Sequence, residues 1–277
     1  MLRLPFTQVD AFAARVFEGN PAAVVQLQQW LDDDTLQAIA AENNLSETAF
    51  TVPAEGDADY ELRWFTPTVE VALCGHATLA SAHVLMTARP EPISGGAAIR
   101  FRTRKAGVLE VARDGDGYRL RLPAWKPEPR PLPAIVAALG VYAVETLWHP
   151  RRYGLVVVRD EDAVRGLDPD LTALAAAGDV LTIVSAPGAK TDIVSRVFAP
   201  GAGVAEDPVT GSAHTVLVPY WAERLRRDSF TAFQASKRGG HLDCRLDRSA
   251  AQSRSDRVII GGNCVTVIEG VLLLNDD

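Results

Sequence analysis

The chain has 277 residues, 47% of them apolar and 23% charged, and a formal charge of −7. Those values describe a globular protein with ample core, long enough for two domains of ordinary size. The negative charge argues against nucleic acid as a partner, and no apolar run is long enough for a bilayer-spanning helix, so no membrane role is expected. Three cysteines, odd in number and far apart, supply neither a disulfide framework nor a metal site, and the start lacks the pattern of a secretion signal. The sequence reads as cytoplasmic.

Taken in order, residues 4–12 form a first strand, Gly19-Asn20-Pro21 a turn and residues 22–27 a second strand. Asp32, Asp33 and Asp34 suit the cap and first turn of a helix over 35–42, which Asn43-Asn44 stops. Strands follow at 46–52 and 60–65, then a helix of small and apolar residues over 76–86. After a Pro/Gly-rich break at 90–96, residues 99–111 and 118–122 read as strands joined by the turn Asp114-Gly115-Asp116-Gly117. The proline-rich stretch 123–133 links two halves. The second half has helices at 135–139, 170–177 and 212–226, and strands at 155–159, 181–185, 193–198, 230–234, 241–246, 258–260 and 265–274.

The chain repeats one arrangement. Arg63-Trp64-Phe65-Thr66-Pro67 precedes Glu70 and then Cys74-Gly75-His76, and Arg196-Val197-Phe198-Ala199-Pro200 precedes Glu206-Asp207-Pro208-Val209-Thr210-Gly211-Ser212. From Phe to Gly the spacing is ten residues in the first copy (65 to 75) and thirteen in the second (198 to 211). Each copy reads as strand, loop and helix N-terminus, whose free amides suit a carboxylate. The expected class is α+β: two pseudo-symmetric halves, each a curled mixed sheet around one central helix. They span 1–117 and 118–265, with a last strand, about 266–275, that returns to the first half.

Glu47 lies within a strand pattern, where a carboxylate is an unusual choice. Either it faces solvent from an edge strand or it performs general acid–base work in a cleft. His76 opens the first central helix, where the dipole favours a neutral ring that carries a proton, caps or packs. Asp207, ahead of Pro208, is forced extended and gains meaning only as part of the second copy. Cys74 has the setting of an activated thiol, but Thr210 stands at the matching position, so a two-thiol mechanism is absent and a small buried cysteine is the favoured role. His83 and His214 read as structural, and Cys244 and Cys264 as core. Gly201-Ala202-Gly203 lacks the third glycine of a nucleotide fingerprint, and no histidine–carboxylate pair has metal-ligand spacing, so neither metal nor cofactor is expected.

These segments together resemble the PhzF family of phenazine-biosynthesis-like proteins, whose fold is shared with diaminopimelate epimerase and proline racemase. Five collinear motifs carry the resemblance across nearly the whole chain: Val9-Asp10-Ala11-Phe12 with residues 19–25; residues 44–50 around Ser46-Glu47-Thr48; residues 65–78; residues 206–213; and Ile260-Gly261-Gly262. It implies a site between two similar halves, cofactor-independent chemistry and homodimers. In the family's isomerase, which rearranges a dihydro-hydroxyanthranilate, a glutamate of the Ser-Glu-Thr motif moves a proton between carbons, and Glu47 corresponds to it. His76 and Asp207 correspond to its partners, and Gly75, Gly211 and Ser212 to turns that hold substrate. Cys74 corresponds to one catalytic thiol of the epimerase relatives, with Thr210 in place of the other. The stretch Gln234-Ala235-Ser236-Lys237-Arg238-Gly239-Gly240 departs from the better-known members, so the substrate does not carry over. An isomerase acting on a small carboxylated substrate, an epimerase using Cys74 with Glu47, and a ligand-binding protein without turnover all remain open.

Overall fold

The computed structural model describes residues 1–88, 98–248 and 256–275; the Pro/Gly-rich break at 90–96 lies outside them. The chain divides into two units, one of Met1–Arg121 with Gly261–Asp277 and the other of Leu122–Ile260. The strands in chain order are β1 (Leu2–Ala11), β2 (Asn20–Gln26), β3 (Glu47–Pro53), β4 (Tyr60–Phe65), β5 (Glu70–Val71), β6 (Ala98–Thr103), β7 (Val108–Asp114), β8 (Gly117–Pro123) and β9 (Glu128–Pro129). They continue as β10 (Glu145–His149), β11 (Tyr153–Val157), β12 (Leu181–Pro187), β13 (Ile193–Ala199), β14 (Val204–Asp207), β15 (Ser229–Gln234), β16 (Gly240–Asp247), β17 (Arg257–Gly262) and β18 (Cys264–Leu274). The helices are α1 (Asp33–Asn43), α2 (Gly75–Thr87), α3 (Pro133–Leu139), α4 (Glu161–Arg165), α5 (Leu171–Ala176) and α6 (His214–Leu225).

In the first unit, β18 pairs along β1, and the order continues through β2, β3, β4, β6 and β7 to β8. The β2–β3 and β4–β6 pairs are parallel and the others antiparallel. The second unit runs β9, β10, β11, β12, β13, β15 and β16, again with two parallel pairs, β11–β12 and β13–β15. Each parallel pair needs a crossover, and helices supply it at matching places. α1 joins β2 to β3, while α4 and α5 join β11 to β12. α2 leads from β5 towards β6, and α6 joins β14 to β15. The halves are therefore repeats in topology as well as in sequence.

Composition explains the two central helices. Eleven of the thirteen residues of α2 are buried, which a helix rich in alanine, leucine and valine, without aspartate, glutamate, lysine or arginine, tolerates on every face. Of its two histidines, His76 at the start belongs with the candidate site, and His83 bonds the Tyr118 hydroxyl and Thr266 Oγ1, both at 2.9 Å. In α6, Pro219 has no amide to give the Thr215 carbonyl, and that carbonyl accepts from the Trp125 amide at 2.8 Å instead.

Several boundaries differ from the sequence reading. Residues 99–111 are two strands, not one, because the chain turns at Arg104–Gly107 and Gly107 takes a positive φ of 74°. β10 and α4 have no counterpart in that reading, and α6 begins at His214 after a turn over 211–213 rather than at Ser212. The linker stretch 123–133 contributes β9, and Asp207 closes β14 instead of sitting in a loop.

The glycine before Asn20 stands in a tight turn. Gly19 has φ +65°, and an added Cβ would lie 2.2 Å from the Ala11 carbonyl oxygen. Gly115 has a similar φ of +58° but nothing within 4 Å. Gly19→Ala is expected to lower stability by roughly 3 kcal/mol or more, the range of a real steric conflict. Gly115→Ala should cost only about 1 kcal/mol of left-handed strain. Urea unfolding of the two variants checks the contrast, and equal losses would contradict it.

Candidate functional site

The site residues of the first unit stand at the starts of neighbouring elements. β2 and β3 are parallel, with Ala22 opposite Glu47, so Asn20 and Glu47 lie at the same end of the sheet. The turn before β3 is fixed by Asn44, a left-handed helix cap at φ 47°, and by Asn43 Nδ2 donating to Thr48 Oγ1 at 3.0 Å. α2 begins beside these strand ends and carries His76 at its second position.

Three side chains form a chain of contacts there. Asn20 Nδ2 donates to His76 Nδ1 at 3.1 Å, which leaves the ring proton on Nε2. His76 Nε2 lies 3.1 Å from Glu47 Oε2, an ion-pair distance, although that oxygen is buried without a hydrogen bond. Asn20 and His76 are buried, and the Glu47 side chain is 15% exposed. Cys74 joins the group, its Sγ 3.5 Å from His76 Nδ1 and 4.0 Å from Nε2. Sequence spacing offers no metal-ligand set, yet the fold brings one donor atom each from Glu47, Cys74 and His76 within 4.8 Å of one another.

The second unit builds its loop from hydroxyl and amide groups around the Asp207 carboxylate. Asp207 Oδ2 accepts from Thr210 Oγ1 at 2.6 Å. Gln234, fully buried, donates through Nε2 to the Asp207 carbonyl at 2.6 Å and accepts the Thr210 amide on Oε1 at 2.8 Å. Ser236 Oγ donates to the Pro208 carbonyl at 2.7 Å. Thus Gln234, at the start of the stretch 234–240, is what braces Asp207 and Thr210.

The helix starts match in detail. Thr78 Oγ1 bonds the Cys74 carbonyl at 2.5 Å, and His214 Nδ1 bonds the Thr210 carbonyl at 2.9 Å. Both side chains sit three residues after the glycine, at 75 and 211. Helices α1, α4 and α5 have aspartate caps, Asp32, Asp160 and Asp170, whereas neither α2 nor α6 has a side-chain cap. Gly75 and Gly211 do not take positive φ, so backbone conformation is not what selects glycine there. First-turn amides without a side-chain cap are the normal setting for an anion.

Two further residues hold the loops in place. Arg63 donates through Nε and Nη2 to both oxygens of Glu70, at 2.8 and 3.0 Å. Arg196 does the same to Glu206, at 2.7 and 2.9 Å. Sequence reasoning missed Asn20, Gln234 and this arginine pair as site-building residues. The signal for the arginines was present, since each stands two residues before the repeated phenylalanine.

The sequence pattern of the phenazine biosynthesis-like protein family, PhzC-PhzF, matches residues 9–270. An uncharacterized isomerase of Pseudomonas aeruginosa is 48% identical over 275 residues, 99% of this chain and 100% of that protein. The crystal structure of a PhzF-family phenazine biosynthesis protein from Enterococcus faecalis aligns with a TM-score of 0.88 at 43% identity, covering 99% and 100% of the two chains. A hydroxyproline epimerase from Agrobacterium vitis shares the fold, with a TM-score of 0.65 at 14% identity over 99% and 93%.

His214 gives the site region a pH signature. Burial, partly offset by its bond to the Thr210 carbonyl, lowers its pKa from 6.5 to about 4. The unfolded chain binds that proton more readily, so the contribution is complete above pH 6.5 and is lost as pH falls towards 4. The shift corresponds to about 3 kcal/mol. His214→Asn keeps a donor for the Thr210 carbonyl without titrating, so its urea midpoint should fall less between pH 7 and 4 than the parent's. Parallel slopes for both proteins would contradict the assignment.

Proposed function

The chain belongs to the phenazine biosynthesis-like family, and on that premise we propose that it is an isomerase moving a proton between carbons of a small carboxylated substrate, without a cofactor. The observation that carries this reading is the Asn20–His76–Glu47 chain, which ends on a partly accessible carboxylate. Glu47 takes a proton from a carbon whose carbanion is conjugated with the substrate carboxylate. It then returns the proton to another carbon of the same conjugated system. His76, neutral with its proton on Nε2, stands 3.1 Å from the carboxylate and holds that proton beside it.

The developing charge spreads into the substrate carboxylate, and preorganised donors then stabilise it more than they stabilise the ground state. The amides of Gly75 and His76 and of Gly211 and Ser212 are the donors assigned to this task. Asp207, held by Thr210, orients a polar group of the substrate. The second reading is an epimerase in which Cys74 and Glu47 each take one face of a carbon. The 3.5 Å approach of Cys74 Sγ to His76 favours it enough to be tested.

Incubation in D2O with small carboxylated substrates, cyclic unsaturated acids and both enantiomers of amino acids, followed by mass spectrometry, separates the readings. Deuterium incorporation should fall by about 10²–10⁴-fold in Glu47→Gln, the usual worth of a general base. It should stay within tenfold in Cys74→Ser. Exchange at an amino-acid α-carbon that requires Cys74 would support the epimerase, and no exchange with any substrate would support a binding protein. For the carboxylate site, Gly211→Val should weaken binding of those ligands at least tenfold; equal binding to both proteins would remove the helix starts from the reading.

A further inference from the structure

Glu47, Cys74 and His76 present a carboxylate oxygen, a thiol sulfur and an imidazole nitrogen to one point. Among the described residues they are the one cluster of three such ligand atoms, all within 4.8 Å of one another. The Nε2–Oε2 and Sγ–Nε2 separations are 3.1 and 4.0 Å. Tetrahedral zinc, with bonds of about 2.0–2.3 Å, sets its ligand atoms about 3.3–3.6 Å apart, so small shifts of the side chains close the geometry. The geometry points to a binding site for one thiophilic divalent cation, with Zn2+ as the probe, on these three side chains.

The charges balance. A thiolate and a carboxylate carry two negative charges, matching the dication, and the imidazole binds neutral. Binding forms three metal–ligand bonds with no change of oxidation state. The Cys74 proton leaves to solvent, and the His76 proton moves from Nε2 to Nδ1. There the Asn20 amide, turned over, accepts it through Oδ1, the outer-sphere partner that metal-bound histidines usually have. Cys74 is also the residue before the first turn of α2, where no acidic side chain competes with a thiolate. The fourth position is left for water. Metal there takes the lone pair that Glu47 needs for a proton, so the cation acts as an inhibitor. The binding itself rests on the three side chains alone, and only the inhibition rests on the reaction proposed above.

Co2+ titration of the purified protein reads the site without any substrate. One equivalent should produce thiolate-to-cobalt charge transfer in the near ultraviolet with visible d–d bands, and Zn2+ should bleach both. Cys74→Ser should lose the charge-transfer band, while Glu47→Gln and His76→Asn should raise the cobalt Kd at least tenfold. Cys244→Ser and Cys264→Ser should each keep the full spectrum, which identifies the sulfur by elimination even if Cys74→Ser folds poorly. A wild-type 113Cd resonance in the range of a single-sulfur site gives the same answer with no variant. Absence of the charge-transfer band at stoichiometric cobalt, or its survival in Cys74→Ser, overturns the proposal. If cobalt binds as described and deuterium exchange is unaffected, the metal site stands and Glu47 is not the base.

Discussion

The structure turns on an arginine that has been taken almost wholly out of water. Arg63 is 3% exposed, a position where a charge is costly unless it is paired. It is paired: Glu70 takes two of its five N–H donors, Asp33 a third at 2.9 Å, and the guanidinium lies over the Phe65 ring at 4.9 Å. The bidentate form makes the pair directional, so it fixes β5 against β4 rather than merely attracting it. In turn the guanidinium holds the Glu70 carboxyl below its usual range. The second unit repeats the device with Arg196, Glu206 and Phe198, the ring at 5.1 Å. Each pair lies just upstream of a helix start that lacks a side-chain cap. The polar machinery of each half hangs from such a clamp.

Similar scaffolds then carry different chemistry. In the first half the residue before the glycine is Cys74, next to a histidine and a carboxylate that can exchange protons. In the second half that residue is Thr210, whose hydroxyl is already committed to Asp207 and whose amide is capped by Gln234. A neutral amide side chain there braces the loop without titrating. The division suggests a reason for duplication: one copy keeps mobile protons, and the other keeps a rigid acceptor.

Much of this was legible in the residues. Asp114-Gly115-Asp116-Gly117 announced its hairpin because those residues tolerate the left-handed turn. The aspartate caps and the apolar central helices announced themselves in the same way. The turn at Arg104–Gly107 did not, because its residues are those of an ordinary strand and only the final glycine marks it. β10 was hidden by half-buried Glu145, Thr146, Trp148 and His149, which give no clear alternation. The alignment of Glu47 with His76 could be read only through the family resemblance. Asn20 could not be found at all, since its turn sequence is explanation enough until the fold carries it to His76, 56 residues away. Local rules find elements, while contacts distant in sequence make sites.

The same lone pairs serve proton transfer and metal binding, so what the cluster does depends on where its protons sit. With Asn20 donating to Nδ1, His76 keeps its proton on Nε2, 3.1 Å from Glu47 Oε2, which suits a carboxylate waiting for a proton. Reversing the Asn20 amide would free Nε2 and leave Glu47 and His76 as two adjacent acceptors, an arrangement stable only around a cation. A buried amide seldom reverses without something to drive it, because its present bond would be lost first. Asn20 is therefore the element that biases the cluster towards proton chemistry. Gly19, whose left-handed turn places Asn20, belongs to the site as firmly as Glu47 does.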